Sequence, residues 1–441
     1  MNRRKGALFI LSTLIILLGS YLVYAHPYGR MNLTRIQPDD LPVYPDTVEA
    51  LEVFQEKIRQ NPSDAASYTI LGNLFLRAAR ENGDVANYVK AEEALFTALD
   101  LVPDYTLAKT SLASAYYAQH KFSTALALAE EVYADDPENV QALATIGDAQ
   151  LSLGNYHEAD LAYRQLSEKS ASPPVLVRLA HLAELEGETE QALELMQQAG
   201  EEGVKNGGSK EEIAWYLVRM GELHFNTGNL KQAEKYYEAA LFVFENYYLG
   251  LAGMGKVNAA RGQYETAIAY YEKSIEIIPQ PDFLAALGDV YQLAGHPDKA
   301  QQQYDTVLLI GKLAELNVQV YNRQLANFYS DHDIHLDEAL KLAAGDLESR
   351  KDIQGYDAAA WASYKNGLLD QAETWIAEAL KLGTQDARLF YHAGMIALAQ
   401  GKTAEAREFL SHALNINPYF DVLQAPVANQ ALRQLQEVAS P

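Results

Sequence analysis

Residues 103–137 read PDYTLAKTSLASAYYAQHKFSTALALAEEVYADDP. The prolines at either end, Pro103 and Pro137, stand 34 residues apart, and between them fall Leu112-Ala113, Tyr116 and Ala125. The pattern recurs downstream. Aligned on it, the chain divides into ten units in which two positions, twelve residues apart, always hold a small residue. The first series is Gly72, Ala113, Gly147, Ala180, Gly221, Gly255, Gly288, Ala326, Ala360 and Gly394. The second is alanine throughout: Ala91, Ala125, Ala159, Ala192, Ala233, Ala267, Ala300, Ala339, Ala372 and Ala406. Unit one carries seven extra residues between the two series and unit eight carries one.

Two helices that cross closely need a small side chain at the crossing, so an alanine in every copy predicts a repeated antiparallel helix pair. Many units add an aromatic residue four positions after the second alanine, as in Tyr163, Tyr237, Tyr271 and Tyr304. Glycines such as Gly154, Gly187, Gly228 and Gly262 fall where the first helix must stop and turn. A helix pair of this kind cannot bury its own apolar face, and must stack on copies of itself. The combination of small residue, aromatic, alanine and helix-ending proline, with good copies closing at Pro279 and Pro418, resembles the tetratricopeptide repeat over residues 46–419. The resemblance implies an all-α, right-handed superhelical solenoid of about ten hairpins with a capping helix at each end. It says little about function, because this fold serves many unrelated tasks.

The repeat lays out the domains: an amino-terminal segment at 1–25, a linker at 26–45 and a half-repeat helix at 46–63. A first subarray spans 64–199, a flexible connection 200–210, a second subarray 211–419 and a capping helix 420–441. The linker holds Pro27, Pro38, Pro42 and Pro45 and reads as an extended spacer. The stretch from Gly200 to Ser209, rich in glycine and charge, reads as the loosest interior segment, and the insertion Glu81–Lys90 as a protruding loop.

Residues 7–25 are uncharged and mainly apolar, long enough at about 28 Å of helix to cross a bilayer. Arg3, Arg4 and Lys5 just before them would stay cytoplasmic and send the remainder outward. The expectation is a cell-envelope protein anchored by one transmembrane helix. Cleavage after Val23-Tyr24-Ala25, giving a secreted protein, is the alternative. The layout resembles bacterial repeat proteins with a single amino-terminal export segment.

The sequence has 59 acidic and 35 basic residues and a formal charge of −24, a surface that repels phosphate backbones and argues against nucleic-acid partners. It has no cysteine, which excludes disulfides, thiolate metal sites and a cysteine nucleophile. Gly250 to Lys256 approaches a phosphate-binding loop, but Val257 lacks the hydroxyl that would hold Mg²⁺, and Gly255 lies on the repeat's small-residue position. Asp331-His332-Asp333-Ile334-His335 gathers possible metal ligands in the turn of unit eight; His332 and His335 are weak candidates, since polar side chains belong in a turn anyway. No catalytic signature occurs and no cofactor is implied.

In the family the first helices line the concave face, where ligand peptides commonly lie. Carried over, the resemblance places Asn73, Asp148, Glu222, Lys256, Asp289 and Asn327, each just after a small-series residue, on that face. Arg323, Trp361, Tyr364 and Tyr391 join them. Arg323 and Asn327 match two slots of the family's carboxylate clamp, but Ala358 fills the next, so that clamp is not expected. The function expected is a non-catalytic scaffold that binds protein or peptide partners in the groove, in assembly of an envelope complex. An adaptor in polysaccharide or protein export and an acidic divalent-metal-handling protein are the alternatives.

Overall fold

The computed structural model describes residues 30–42, 47–317 and 322–438. Among them are 22 α-helices and no strand. Ten antiparallel hairpins follow one another, from Ala65–Asn82 with Ala86–Leu101 in unit one to Ala387–Ala399 with Thr403–Ile416 in unit ten. Thr47–Gln60 packs on the first hairpin and Gln424–Val438 on the last. Each helix packs chiefly on its chain neighbours, which is the connectivity of a solenoid.

The two small-residue series are the hairpin crossings. All ten alanines of the second series are at most 1% exposed. The glycines of the first series lie against a large side chain of the partner helix, a tyrosine at Gly147, Gly221, Gly255 and Gly288 and a leucine at Gly72 and Gly394. A Cβ on Gly221 would stand 2.5 Å from the Tyr237 ring, and one on Gly255 2.8 Å from Tyr271. The Tyr237 ring is also bounded by Gly253 of the next unit, so it fills the space left by two absent side chains.

Successive turns of the superhelix touch. The backbone N–H of Ile353 donates to the Tyr156 hydroxyl at 2.8 Å, and the Asn417 side-chain amide donates to the Phe225 carbonyl at 2.8 Å. Thr384 donates to the carbonyl of Leu185. One rule covers these contacts: the turn inside a unit meets the exit of the unit five further on. Unit one meets unit six at Gly83 and Ile278, unit three meets eight at Gly154 and Lys351, unit four meets nine at Gly187 and Gly383, and unit five meets ten at Gly228 and Pro418. Gly187 is doubly constrained there, with φ at +79° and a notional Cβ 2.5 Å from the Gly383 carbonyl oxygen.

Three expectations are corrected. Residues 30–42 are not a free spacer: they form a strap on the helices Thr189–Lys205 and Leu230–Val243. Leu33, Ile36 and Leu41 are buried, the Met31 N–H donates to Glu201 and Gln197 donates to the Met31 carbonyl. The connection at 200–210 is helical as far as Lys205. Its glycines make room rather than flexibility, since a Cβ on Gly200 would meet Leu33 at 2.6 Å and one on Gly203 would meet Tyr216 at 2.6 Å. The insertion in unit one lengthens both helices of its hairpin and puts Gly83 on the seam instead of making a loose loop. Residues 7–25 lie outside the described residues; among those described, no helix is long and apolar enough to cross a membrane.

Candidate functional site

Winding the units this tightly leaves a half-open cavity of about 1080 Å³ on the inner side of the superhelix. Two registers of the repeat supply much of its wall. The residue just after the small position contributes Asp148, His181, Glu222, Lys256, Asp289 and Asn327 from units three to eight. The residue six before it contributes Pro174, Trp215, Leu249, Asp282, Gln354 and Arg388. The first register is the one read from the sequence. The second was equally periodic, but a search for polar series passes over it because it mixes proline, aromatic, aliphatic and charged residues.

Most charges in the wall are already satisfied. Asp148 accepts from the Tyr163 hydroxyl at 2.8 Å and holds Arg178 in a two-bond pair at 2.7 Å. Asp289 repeats that arrangement, with Tyr304 at 2.8 Å and His332 at 2.8 Å. In both units the tyrosine passes beneath the glycine and its hydroxyl reaches the next residue. Glu222 pairs with Arg219, which also binds Glu184 at 3.0 Å. Arg323 bridges Asp346 at 2.6 Å and Asp352 at 2.9 Å, and Arg350 joins Asp352 at 2.7 Å. Arg388 lies 3.2 Å from Asp421.

Lys256 differs. Its ammonium stands 4.2 Å from the centre of the Phe225 ring, a cation–π contact, and has no carboxylate within 4 Å among the described residues. Water in the cavity reaches it while protein surrounds it, and this desolvation holds its pKa below that of an ordinary lysine. Asp282 is the counterpart on the acidic side. The same enclosure pushes it up to about 6, with Arg388 and Lys256 pulling down and Asp331 pushing up. The Asn327 amide also lines the cavity and makes no hydrogen bond among the described residues.

Four of the residues chosen from sequence lie elsewhere. Asn73 is exposed on unit one, away from the cavity lining. Trp361 is 2% exposed, stacked between Tyr364 at 4.9 Å and His392 at 4.1 Å, and donates its indole N–H to Asp331 at 2.8 Å. Tyr391 packs on the same stack at 5.6 Å. These aromatics form core between units nine and ten, not a platform for a ligand. The metal candidates separate as well: His332 turns inward to Asp289, whereas His335, at φ +46°, packs its ring on Tyr329. Among the described residues no three histidine, aspartate or glutamate side chains gather as a metal ion would require.

Comparison with family profiles agrees with the repeat. Tetratricopeptide repeat profiles match residues 116–170, 212–280 and 387–420. The same hairpin continues through the segments between them, and the chain is a tetratricopeptide repeat protein. It is 25% identical over 231 residues to the human protein O-mannosyl-transferase TMTC1, a match covering 50% of this chain and 25% of that protein. The chain thus spans about a quarter of that relative's length. Similar solved structures include yeast Tom70, at 15% identity over 86% of this chain and 97% of that one, with a TM-score of 0.33. PilW, a type IV pilus biogenesis factor, matches at 17% over 46% and 92%, TM-score 0.40. BtubC from P. vanneervenii matches at 20% over 45% and 92%, TM-score 0.37.

Proposed function

We propose that this protein is a non-catalytic scaffold that takes a segment of a partner protein into its interior cavity, as part of assembling a complex in the cell envelope. Residues 7–25 hold it to the membrane with the array outside the cytoplasm. The observation that carries this reading is the cavity itself: one continuous wall built by successive repeats, of a volume suited to a short stretch of chain and too small for a folded domain. Its charges support binding over chemistry. The carboxylates and guanidiniums are mostly locked to one another, and the tyrosine hydroxyls beside Asp148 and Asp289 are held in the same pairs.

Photo-crosslinking in the native host tests the reading. A benzophenone amino acid in place of Asn327, inside the cavity, is expected to capture a discrete protein partner. The same group in place of Phe242, an exposed residue of the helix Leu230–Val243, is expected to capture none of that species. Equal capture from both positions, or capture only from Phe242, rejects the cavity as the site. Deleting residues 7–25 is expected to move the protein out of the membrane fraction, and retention there rejects the anchor.

A further inference from the structure

Asp331 and Asp421 complete the acidic lining of the cavity, and both are occupied. Asp331 accepts from Trp361 and Gln424, and Asp421 holds Arg388 together with the backbone N–H groups of Leu423 and Gln424. Among the described residues, Lys256 is therefore the one cation in the wall without a carboxylate within 4 Å. Asp282 is the one carboxylate there with neither a cation within 4 Å nor a hydrogen-bond donor. They belong together by position. Lys256 follows the small residue of unit six and Asp282 precedes that of unit seven by six residues, so neighbouring first helices carry them to the same wall. The charge of Lys256 pulls down the pKa of Asp282, yet no ion pair forms between them.

We propose that Lys256 and Asp282 are a charge-reading pair, which selects a peptide segment carrying one acidic and one basic side chain a residue or two apart. This rests on the reading of the cavity as a peptide site. The physical reason is that the two opposite charges face the water of the cavity unpaired, and a peptide that fills the cavity displaces that water from both. A ligand that offers a carboxylate to Lys256 and an ammonium or guanidinium to Asp282 restores both at once. A ligand with only one of these groups leaves the other charge enclosed without a partner. Discrimination therefore comes from the penalty on the mismatch as much as from the match. Arg388 and Asp331 stand near Asp282 and are both engaged by the protein, so they set its field without competing for the ligand.

The test is selection from a random heptapeptide library displayed on phage by the full chain, followed by labelled synthetic heptapeptides in fluorescence anisotropy. The expected selection is enriched in an acidic and a basic residue within two positions of each other. Replacing either of them with glutamine is expected to weaken binding roughly ten-fold or more. The exchange Lys256→Asp with Asp282→Lys is expected to reverse the preferred order of the two charges. The neutral pair Lys256→Met with Asp282→Asn, a milder change should the exchanged protein fold poorly, is expected to lose the charge preference while keeping the helical signal in circular dichroism. Enrichment of peptides without the charge pattern, or the same pattern from wild type and the neutral pair, overturns the inference and leaves the cavity as a peptide site. No enrichment of any peptide by the wild-type protein overturns both.

Discussion

At the scale of single residues, the tightest constraint is the tyrosine that lies in a glycine's place. Tyr237 sits between Gly221 and Gly253, and a Cβ on either would stand 2.5 Å from its ring. Gly221→Ala is expected to destabilise the protein by about 1–3 kcal/mol, the usual penalty of overpacking, although alanine is the better helix former. Chemical denaturation measures this, and Tyr237→Leu in the same chain is expected to recover part of the loss. His332 supplies a second case. Burial lowers its pKa, but the hydrogen bond and charge of Asp289 outweigh it, so the pKa stands above the usual 6.5. The stability this pair adds is fully present below pH 6.5 and is lost as pH rises through the folded-state pKa. Asp289→Asn is expected to bring the His332 pKa below its ordinary value in an NMR titration, and to flatten the pH dependence of unfolding above 6.5. Asp148 and Asp289 were legible from the repeat as inward-facing. That their carboxylates are already bound by Tyr163 with Arg178 and by Tyr304 with His332 was not. A register gives the direction of a side chain. The tyrosine follows 15 residues on in the same unit. The cation, however, comes from the next unit at no fixed offset, 30 residues on in one case and 43 in the other.

At the scale of elements, the strap at 30–42 changes how the middle of the array is read. From sequence, Gly200, Gly203 and the charges around them spell a loose connection, because glycine lowers helix propensity. In the structure the missing side chains admit Leu33 and Tyr216, and tertiary packing overrides propensity. The signal that would have revealed this lies some 170 residues away, in the apolar spacing of Leu33, Ile36 and Leu41 between prolines. Leu33→Ala is expected to lower the local opening free energy of the helix Thr189–Lys205 by about 2–4 kcal/mol, read by hydrogen exchange. Gly200→Ala is expected to release the strap as well, since its Cβ would stand 2.6 Å from Leu33. The ten hairpins themselves were fully legible, because each crossing writes the same small residue at the same place.

At the scale of the whole molecule, the seam sets this protein apart from an open array. In an open array each unit feels only its immediate neighbours. Here the donors of units nine and ten reach the turns of units four and five, 199 and 192 residues away. Removing units nine and ten is therefore expected to speed hydrogen exchange at residues 185–188 and 225–229, although units four and five keep both of their chain neighbours. Unchanged exchange at those turns would mean that the seam carries no stability. The seam also counts. Repeat proteins commonly grow and shrink by duplicating or dropping a unit, and an open array accepts either anywhere along its length. In this chain a 34-residue unit inserted between Gly187 and Lys351 would set the turn of unit four against the partner that now serves unit three. Every contact spanning the insertion would fall out of phase by one station. Such an array can lengthen at its ends, but its middle is a ruler whose number of divisions is locked.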